Sequence, residues 1–221
     1  MLFFTSYVKC DVSDDRAEHQ QEEQMNKSKT FDTRKLVLLA LLTAIVVVLQ
    51  ALAAVLPVYP FNLTLVLVPI VIGAALVNTV AGIWLGFVFG VVVLATGNAN
   101  AFLAINPFAA VLIVIMKGAL AGCAAGAVYR ALANTNKTIA AVVAAVACPV
   151  VNTGILVLGS YAFFLPTFTA WGEAAGYANV TAFIFLGMIG FNFLFELGIN
   201  IILSPTIVRL IQYGQGRQIK K

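Results

Sequence analysis

Charge is the scarcest property of this chain: Asp, Glu, Lys and Arg make up 10% of its 221 residues, far below the roughly 25% of ordinary soluble domains. Histidine is scarcer still, with His19 alone, inside a charged N-terminal stretch. These absences exclude several chemistries. A Ser–His–Asp triad cannot be built in apolar segments that hold no histidine. There is no HExxH and no Cys/His cluster for zinc, and no GxxxxGK[ST] loop for a nucleotide phosphate. The three cysteines, Cys10, Cys123 and Cys148, lack metal-ligand spacing. Two of them sit in apolar helical contexts, where a free thiol acts as a small hydrophobe, so no disulfide framework is indicated. Neither an enzyme nor a resident cofactor or metal is expected. No charged ring or carbonyl-filter motif points to a channel.

Apolar run length is what the chain has in abundance: 62% of its residues are hydrophobic. A run of about 20 such residues crosses the hydrocarbon core as a helix. The cleanest run is 36–57, where Gln50 is the one strongly polar member. A β-barrel would alternate polar and apolar residues over about 10 positions, and the continuous blocks here exclude it. The expected fold is all-α, a transmembrane helical bundle of six spans near 35–56, 62–77, 80–96, 106–132, 139–164 and 179–211. Only Asn78-Thr79 separates the second and third, so one broken or re-entrant element is an alternative there. The sixth run exceeds what a perpendicular helix needs, implying tilt or extension beyond the membrane.

Residues 1–26 differ from the rest, with Asp11, Asp14, Asp15, Glu18, Glu22 and Glu23 against Lys9 and Arg16. They read as an acidic, disordered extension, with 27–221 as the six-helix membrane domain; a translation start at Met25 is the other reading. Lys27, Lys29, Arg34 and Lys35 precede the first span, Arg130 and Lys137 bracket the fourth connection, and Arg209, Arg217, Lys220 and Lys221 follow or close the last span. The connections after spans one, three and five carry no Lys or Arg. By the positive-inside rule both termini are cytoplasmic, in a cell-membrane protein. The formal charge of +4 is then a topology signal, and no nucleic-acid partner is implied. Tyr59, Trp171 and Tyr177 fall in the outer connections, as interfacial anchors or as parts of a lid shaped by Pro57, Pro60 and Gly97.

Two charges lie inside spans. Lys117 is 13 residues from Arg130 and Glu196 is 13 residues from Arg209, so each stands roughly 20 Å above its cytoplasmic marker. A charge at that depth needs a partner or water. A structural Lys117–Glu196 pair and a substrate cavity holding one or both remain open. Asn152 reaches a similar height, and Asn192 lies one turn outward of Glu196. Asn98, Asn100 and Asn106 border the outer connection between spans three and four. These amides need hydrogen-bond partners inside lipid, which a polar ligand or neighbouring helices can supply. Small residues recur every fourth position in Ala40-x-x-x-Ala44, in Gly82, Gly86 and Gly90, and in Gly118, Gly122 and Gly126. Such stripes allow close helix approach; the first glycine series is expected to seat span three beside span two.

From about Thr33 to the C-terminus the chain resembles the substrate-binding membrane subunit (S component) of energy-coupling factor (ECF) vitamin transporters. The resemblance rests on Ala40-x-x-x-Ala44 after a basic start and on Leu67-Val68-Pro69-Ile70-Val71-Ile72-Gly73. It rests equally on Gly82-Ile83-Trp84-Leu85-Gly86-Phe87-Val88-Phe89-Gly90, on Met116-Lys117-Gly118 leading to Tyr129-Arg130, and on Asn152-Thr153-Gly154-Ile155 with Asn192 and Glu196. It implies capture of a vitamin or precursor from outside, and docking on a transmembrane coupling subunit that carries two ATPase subunits. Ala40 and Ala44 take the docking role by that resemblance. The expected substrate-binding residues are Lys117, Asn152, Asn192, Glu196, Asn98 and Asn106. Pantothenate leads among the ligands, because a cation and amides suit its carboxylate, hydroxyls and amide. An ion-coupled secondary transporter and a non-transport membrane scaffold are the competing classes, although no convincing internal repeat supports the former.

Overall fold

The two longest helices of this protein turn mostly small residues inward and large apolar residues outward, the reverse of a soluble core. The computed structural model describes residues 33–55 and 65–214. The acidic stretch 1–26, the residues Pro57, Tyr59 and Pro60, and the basic Arg217, Lys220 and Lys221 lie outside them. Two compact units divide at Leu38: Met1–Leu38, described only from Thr33 onward as the start of the first helix, and Leu39–Lys221, which holds the bundle.

The helices run in the order α1 (Thr33–Val55), α2 (Leu67–Leu76), α3 (Thr79–Ala95), α4 (Asn100–Leu103), α5 (Pro107–Ala133), α6 (Lys137–Phe163), α7 (Leu165–Ala174), α8 (Val180–Ala182) and α9 (Gly190–Gly214). A π-helical segment, Phe183–Ile189, joins α8 to α9 without a break. No strand occurs among the described residues. Four stretches are long and apolar enough to cross a membrane: α1 with 23 residues, α5 and α6 with 27 each, and Val180–Leu203 with 24. α2 has 10 residues and α3 has 17. The expected apolar helical bundle is therefore present, with four full-length helices and two short ones where six spans were anticipated.

Asparagines set several of the helix starts. Asn78, Asn106, Asn136 and Asn179 precede α3, α5, α6 and α8, each in an extended conformation and each accepting from a backbone N–H of the first turn. The Asn78 Oδ1 to Ala81 N distance is 2.7 Å, and that from Asn106 Oδ1 to Ala109 N is 3.1 Å. Such caps satisfy donors that the helix itself leaves free. Asn78 thus divides α2 from α3, which are two helices joined by a tight turn. Gly97 and Gly176, with φ of +79° and +78°, make the turns into α4 and out of α7. The outer connections, read from the sequence as loops, contain these two short helices.

The inward stripe of α5 is Ala110, Gly118, Ala121, Gly122, Ala125 and Gly126, while Phe108, Leu112, Met116 and Leu120 are exposed. α6 repeats the pattern, burying Ala140, Ala141, Ala144, Ala145 and Cys148 and exposing Ile139, Val143, Val150 and Leu158. Lipid tails are as apolar as leucine, so burying large side chains gains little there; close backbone approach gains dispersion contact instead. α1 and α3 also bury large side chains, among them Leu42, Val46, Leu85 and Phe89, and α2 departs furthest from the pattern. It is apolar all round and buried from Pro69 to Ala74, packed against α3, α5, α6 and α9.

The glycine stripes of α3 and α5 face each other. A Cβ on Gly82 would stand 2.6 Å from the Gly122 carbonyl oxygen, and one on Gly90 would stand 2.8 Å from that of Val114. Gly86 and Gly118 approach each other even more closely. The first series therefore seats α3 chiefly on α5, which corrects the expectation that it served α2. The reason is reciprocity: two antiparallel stripes with the same four-residue spacing interlock, whereas α2 offers only Ala74 at a Cβ distance of 2.8 Å from Gly82.

Gly86→Leu is expected to destabilise the purified protein by about 3 kcal/mol or more, since the obstacle is backbone and cannot rotate away. Gly154→Ala, with nothing within 4 Å of the new methyl, should be neutral or slightly stabilising. Thermal unfolding in detergent measures both; equal effects would refute the interlock.

Candidate ligand-binding site

One cavity of about 240 Å³ opens among the helices of the bundle. α1 contributes Gln50 and Ala53, α3 contributes Phe89 and Val93, and the following turn and α4 contribute Asn98 and Phe102. α5 supplies Ile113, Val114 and Lys117; α6 supplies Asn152, Thr153, Leu156 and Ser160; α9 supplies Asn192, Phe193 and Glu196. Five of the six residues expected at a substrate site thus share one cavity: Lys117, Asn152, Asn192, Glu196 and Asn98. Asn98 is exposed and stands at the mouth. Asn106 is the departure. It is not among the lining residues, because its amide is turned to the backbone of α5 as a cap.

Lys117 directly precedes Gly118, so the glycine contact that draws α5 onto α3 also brings this lysine to α3. Its Nζ lies 5.5 Å from the centroid of the Phe89 ring, within range of a cation–π attraction. Glu196 is 5% exposed, and its charge acts on both Lys117 and Cys148. An acid and a base therefore share the lining of one polar chamber.

Asn152 is 5% exposed, and its Oδ1 has no hydrogen-bond partner among the described residues. Burying an amide oxygen without a donor costs about 1–3 kcal/mol. Asn152 lines the cavity, but this oxygen is itself enclosed by protein atoms, so a ligand N–H or O–H meets it only if the side chain turns. Pro149, inside α6, lies less than one turn earlier and has no N–H for the carbonyl of Ala145. Ser160, fully buried, donates to the Leu156 carbonyl at 2.7 Å.

Two polar residues were not anticipated at the site. Gln50, 4% exposed, lies on the same inward stripe of α1 as Leu42 and Val46. Its signal was visible as the lone strong dipole of the first apolar run. Asn200, 1% exposed, lies one turn beyond Glu196 and donates from Nδ2 to the Glu196 carbonyl at 2.9 Å. Asn192, Glu196 and Asn200 share one helix face at four-residue spacing, a series legible in the sequence. Asn200 backs the wall without lining it.

Aromatic rings flank the Asn98 side of the cavity. Phe164 and Phe168 are buried, and Phe102 meets them edge-on with centroids 5.3 and 5.8 Å away. Trp171 joins at 5.5 Å from Phe168, and Tyr177 lies 5.5 Å from Phe183. Tyr161 Oη donates to Thr181 Oγ1 at 3.0 Å, tying α6 to α8. Trp171 and Tyr177 thus belong to the cluster that contains the cavity walls Phe102 and Phe164. On α1, Ala40 and Ala44 are exposed while Leu42, Val46 and Gln50 are buried. Thr43 accepts from Trp84 Nε1 at 3.3 Å, which holds α1 against α3. Among the described residues no group of His, Cys, Asp and Glu could hold a metal ion.

A polar, lipid-buried chamber in a helical bundle defines a membrane protein that accommodates a small solute. The family of ECF transporter substrate-specific components matches residues 34–208, and the chain belongs to that family. It is a transport component and not an enzyme. Comparisons with curated proteins and with solved structures gave no match.

Asn152→Leu separates fold from function. In the ligand-free protein it removes an unsatisfied acceptor, and the melting temperature should rise or hold. Ligand affinity should fall by about tenfold, the equivalent of one hydrogen bond. A lowered melting temperature with unchanged affinity would assign Asn152 to the fold alone.

Proposed function

We propose that this chain captures a small vitamin or vitamin precursor, with pantothenate the lead ligand, and delivers it to an ATP-driven ECF complex. The observation that carries the reading is that Lys117 and Asn152 line one chamber of about 240 Å³. A buried cation suits a carboxylate in a low-dielectric site. The amides of Asn152 and Asn192 suit ligand hydroxyl and amide groups. Phe89, Phe102 and Phe193 offer an apolar wall to a branched aliphatic part. The volume lies below the roughly 300–1,000 Å³ of drug-sized sites, which favours a compact ligand over folate or riboflavin. Glu196 supports a second reading. Where it neutralises Lys117, a cationic or neutral ligand such as thiamine or a pyridoxine-like compound fits equally.

The topology proposed is six crossings in the cell membrane, with α2 and α3 as the two short ones. Arg130, Lys137 and Arg209 stand at the end of the bundle opposite the aromatic cluster. The positive-inside rule makes that end cytoplasmic, so both termini are cytoplasmic and the cavity opens outward. The domain division proposed is an acidic N-terminal segment, 1–26, ahead of the membrane domain, 27–221. The chain has no nucleotide loop, so ATP is hydrolysed by two partner ATPase subunits acting through a transmembrane coupling subunit. The exposed Ala40/Ala44 face is proposed to meet that subunit, small side chains permitting close helix approach.

Calorimetric titration of the purified protein with a vitamin panel tests the ligand. Pantothenate is expected to bind, and Lys117→Ala to weaken it by about tenfold or more, as for a lost charge-assisted hydrogen bond. Tight binding of another vitamin with no response to pantothenate would end the assignment. Binding indifferent to Lys117→Ala would end only the carboxylate contact.

Replacing both Ala40 and Ala44 with Trp is expected to abolish recovery of the coupling subunit in pull-downs while ligand affinity persists. Undiminished recovery would refute the docking face.

A further inference from the structure

We infer that Gln50 reaches the bound ligand, so that the helix proposed to dock is itself a specificity-determining wall of the binding cavity. The inference rests on the proposed function and deepens it. The buried stripe of α1 runs Leu42, Val46 and Gln50, with exposures of 5%, 0% and 4%. At the first two positions an apolar side chain fills the contact. At the third, the same geometry places a carboxamide, and its neighbours are the cavity and not a closed core: Gln50 and Ala53 both line the chamber. A buried amide is costly unless it is hydrogen-bonded, and leucine would serve packing alone at no such cost. Gln50 presents both a donor and an acceptor. It faces a chamber whose other polar walls, Lys117, Asn152 and Glu196, stand on α5, α6 and α9. A ligand lodged there contacts α1 on one side and the three-helix wall on the other.

The consequence follows from helix rigidity. Gln50 is six residues from Ala44, about 9 Å along the axis and about 120° around it, so one helix carries both the exposed Ala44 and the buried Gln50. A docking event that shifts α1 against the α5–α6–α9 wall changes the distance between Gln50 and the ligand's other partners. Binding free energies are reciprocal. Ligand occupancy then alters the affinity of the Ala40/Ala44 face by the same factor by which docking alters ligand affinity.

The test compares wild type with Gln50→Leu, a substitution of similar size that keeps α1 apolar. Each full chain is titrated with pantothenate, thiamine and pyridoxine, and its affinity for the coupling subunit is measured with and without the vitamin that binds. The variant should keep the ligand-free melting temperature, lose about tenfold in vitamin affinity, and show a smaller vitamin-dependent change in docking. Unchanged vitamin affinity in Gln50→Leu overturns the inference, even where pantothenate binds. If thiamine or pyridoxine binds wild type and is weakened in the variant, the pantothenate assignment falls and the Gln50 contact stands. If none of the three binds, small molecules carried through gentle purification are compared by native mass spectrometry. Equal occupancy of the two proteins then overturns the inference, and depletion from the variant alone supports it.

Discussion

The backbone contact between α3 and α5 is the constraint on which the rest of the structure depends. Gly82 meets Gly122 and Gly86 meets Gly118, with carbonyl oxygens where side chains would otherwise stand. In lipid no hydrophobic gain drives helices together, so the depth of approach governs the dispersion energy available. That depth also sets positions. Phe89 lies within the stripe of α3, and Lys117 adjoins that of α5. The cation–π contact between them therefore follows from the glycine register and needs no further device. α6 packs along α5 as well, where Gly159 admits the side chain of Ile113, and so carries Asn152 and Ser160 to the same chamber.

The chamber concentrates polar groups that a bilayer would otherwise penalise. Lys117, Glu196, Asn152, Asn192 and Gln50 come from four helices and share one small volume. In surroundings of low dielectric each contact is stronger than in water, and each missing contact costs more. A fold that keeps an amide oxygen without a donor there, as at Asn152, bears a cost that a ligand can relieve only if the side chain turns. The packed rings of Phe102, Phe164 and Phe168 offer apolar surface beside the chamber and so help to keep its dielectric low.

Much of this was legible in the sequence because membrane helices are read by length and by charge spacing. The expected runs coincide with the observed long helices within a few residues. Equal spacing from Arg130 and Arg209 placed Lys117 and Glu196 at one depth, since rise per residue is nearly constant in a helix. Rotation about the axis was harder to read. Asn106 and Asn152 are the same residue type with similar demands, yet one caps a helix start and the other faces the cavity. Only the Pro107 that follows Asn106, a residue favoured in a first helical turn, hinted at the difference. Gln50 was noticed as an interruption but not assigned, because an isolated polar residue carries no azimuth until its neighbours are known. The partner of each glycine stripe was likewise ambiguous: spacing announces a close contact without naming the helix that makes it. The helices α4 and α7 were missed because their aromatics are too short a run to register as spans.

The π-helical segment between Phe183 and Ile189 bears on how such a protein can acquire a new ligand. Each wide turn lodges an extra residue, and one residue corresponds to about 100° of rotation in a regular helix. Everything beyond it, Asn192 and Glu196 included, keeps its azimuth only while that surplus is retained. Loss of a single codon from this stretch would restore a regular helix and swing the acidic wall away from Lys117, leaving the glycine-locked half of the molecule intact. Ligand preference in this architecture can therefore change by a shift in length as well as by substitution, and length changes within the last helix are a form of variation to which the site is directly exposed.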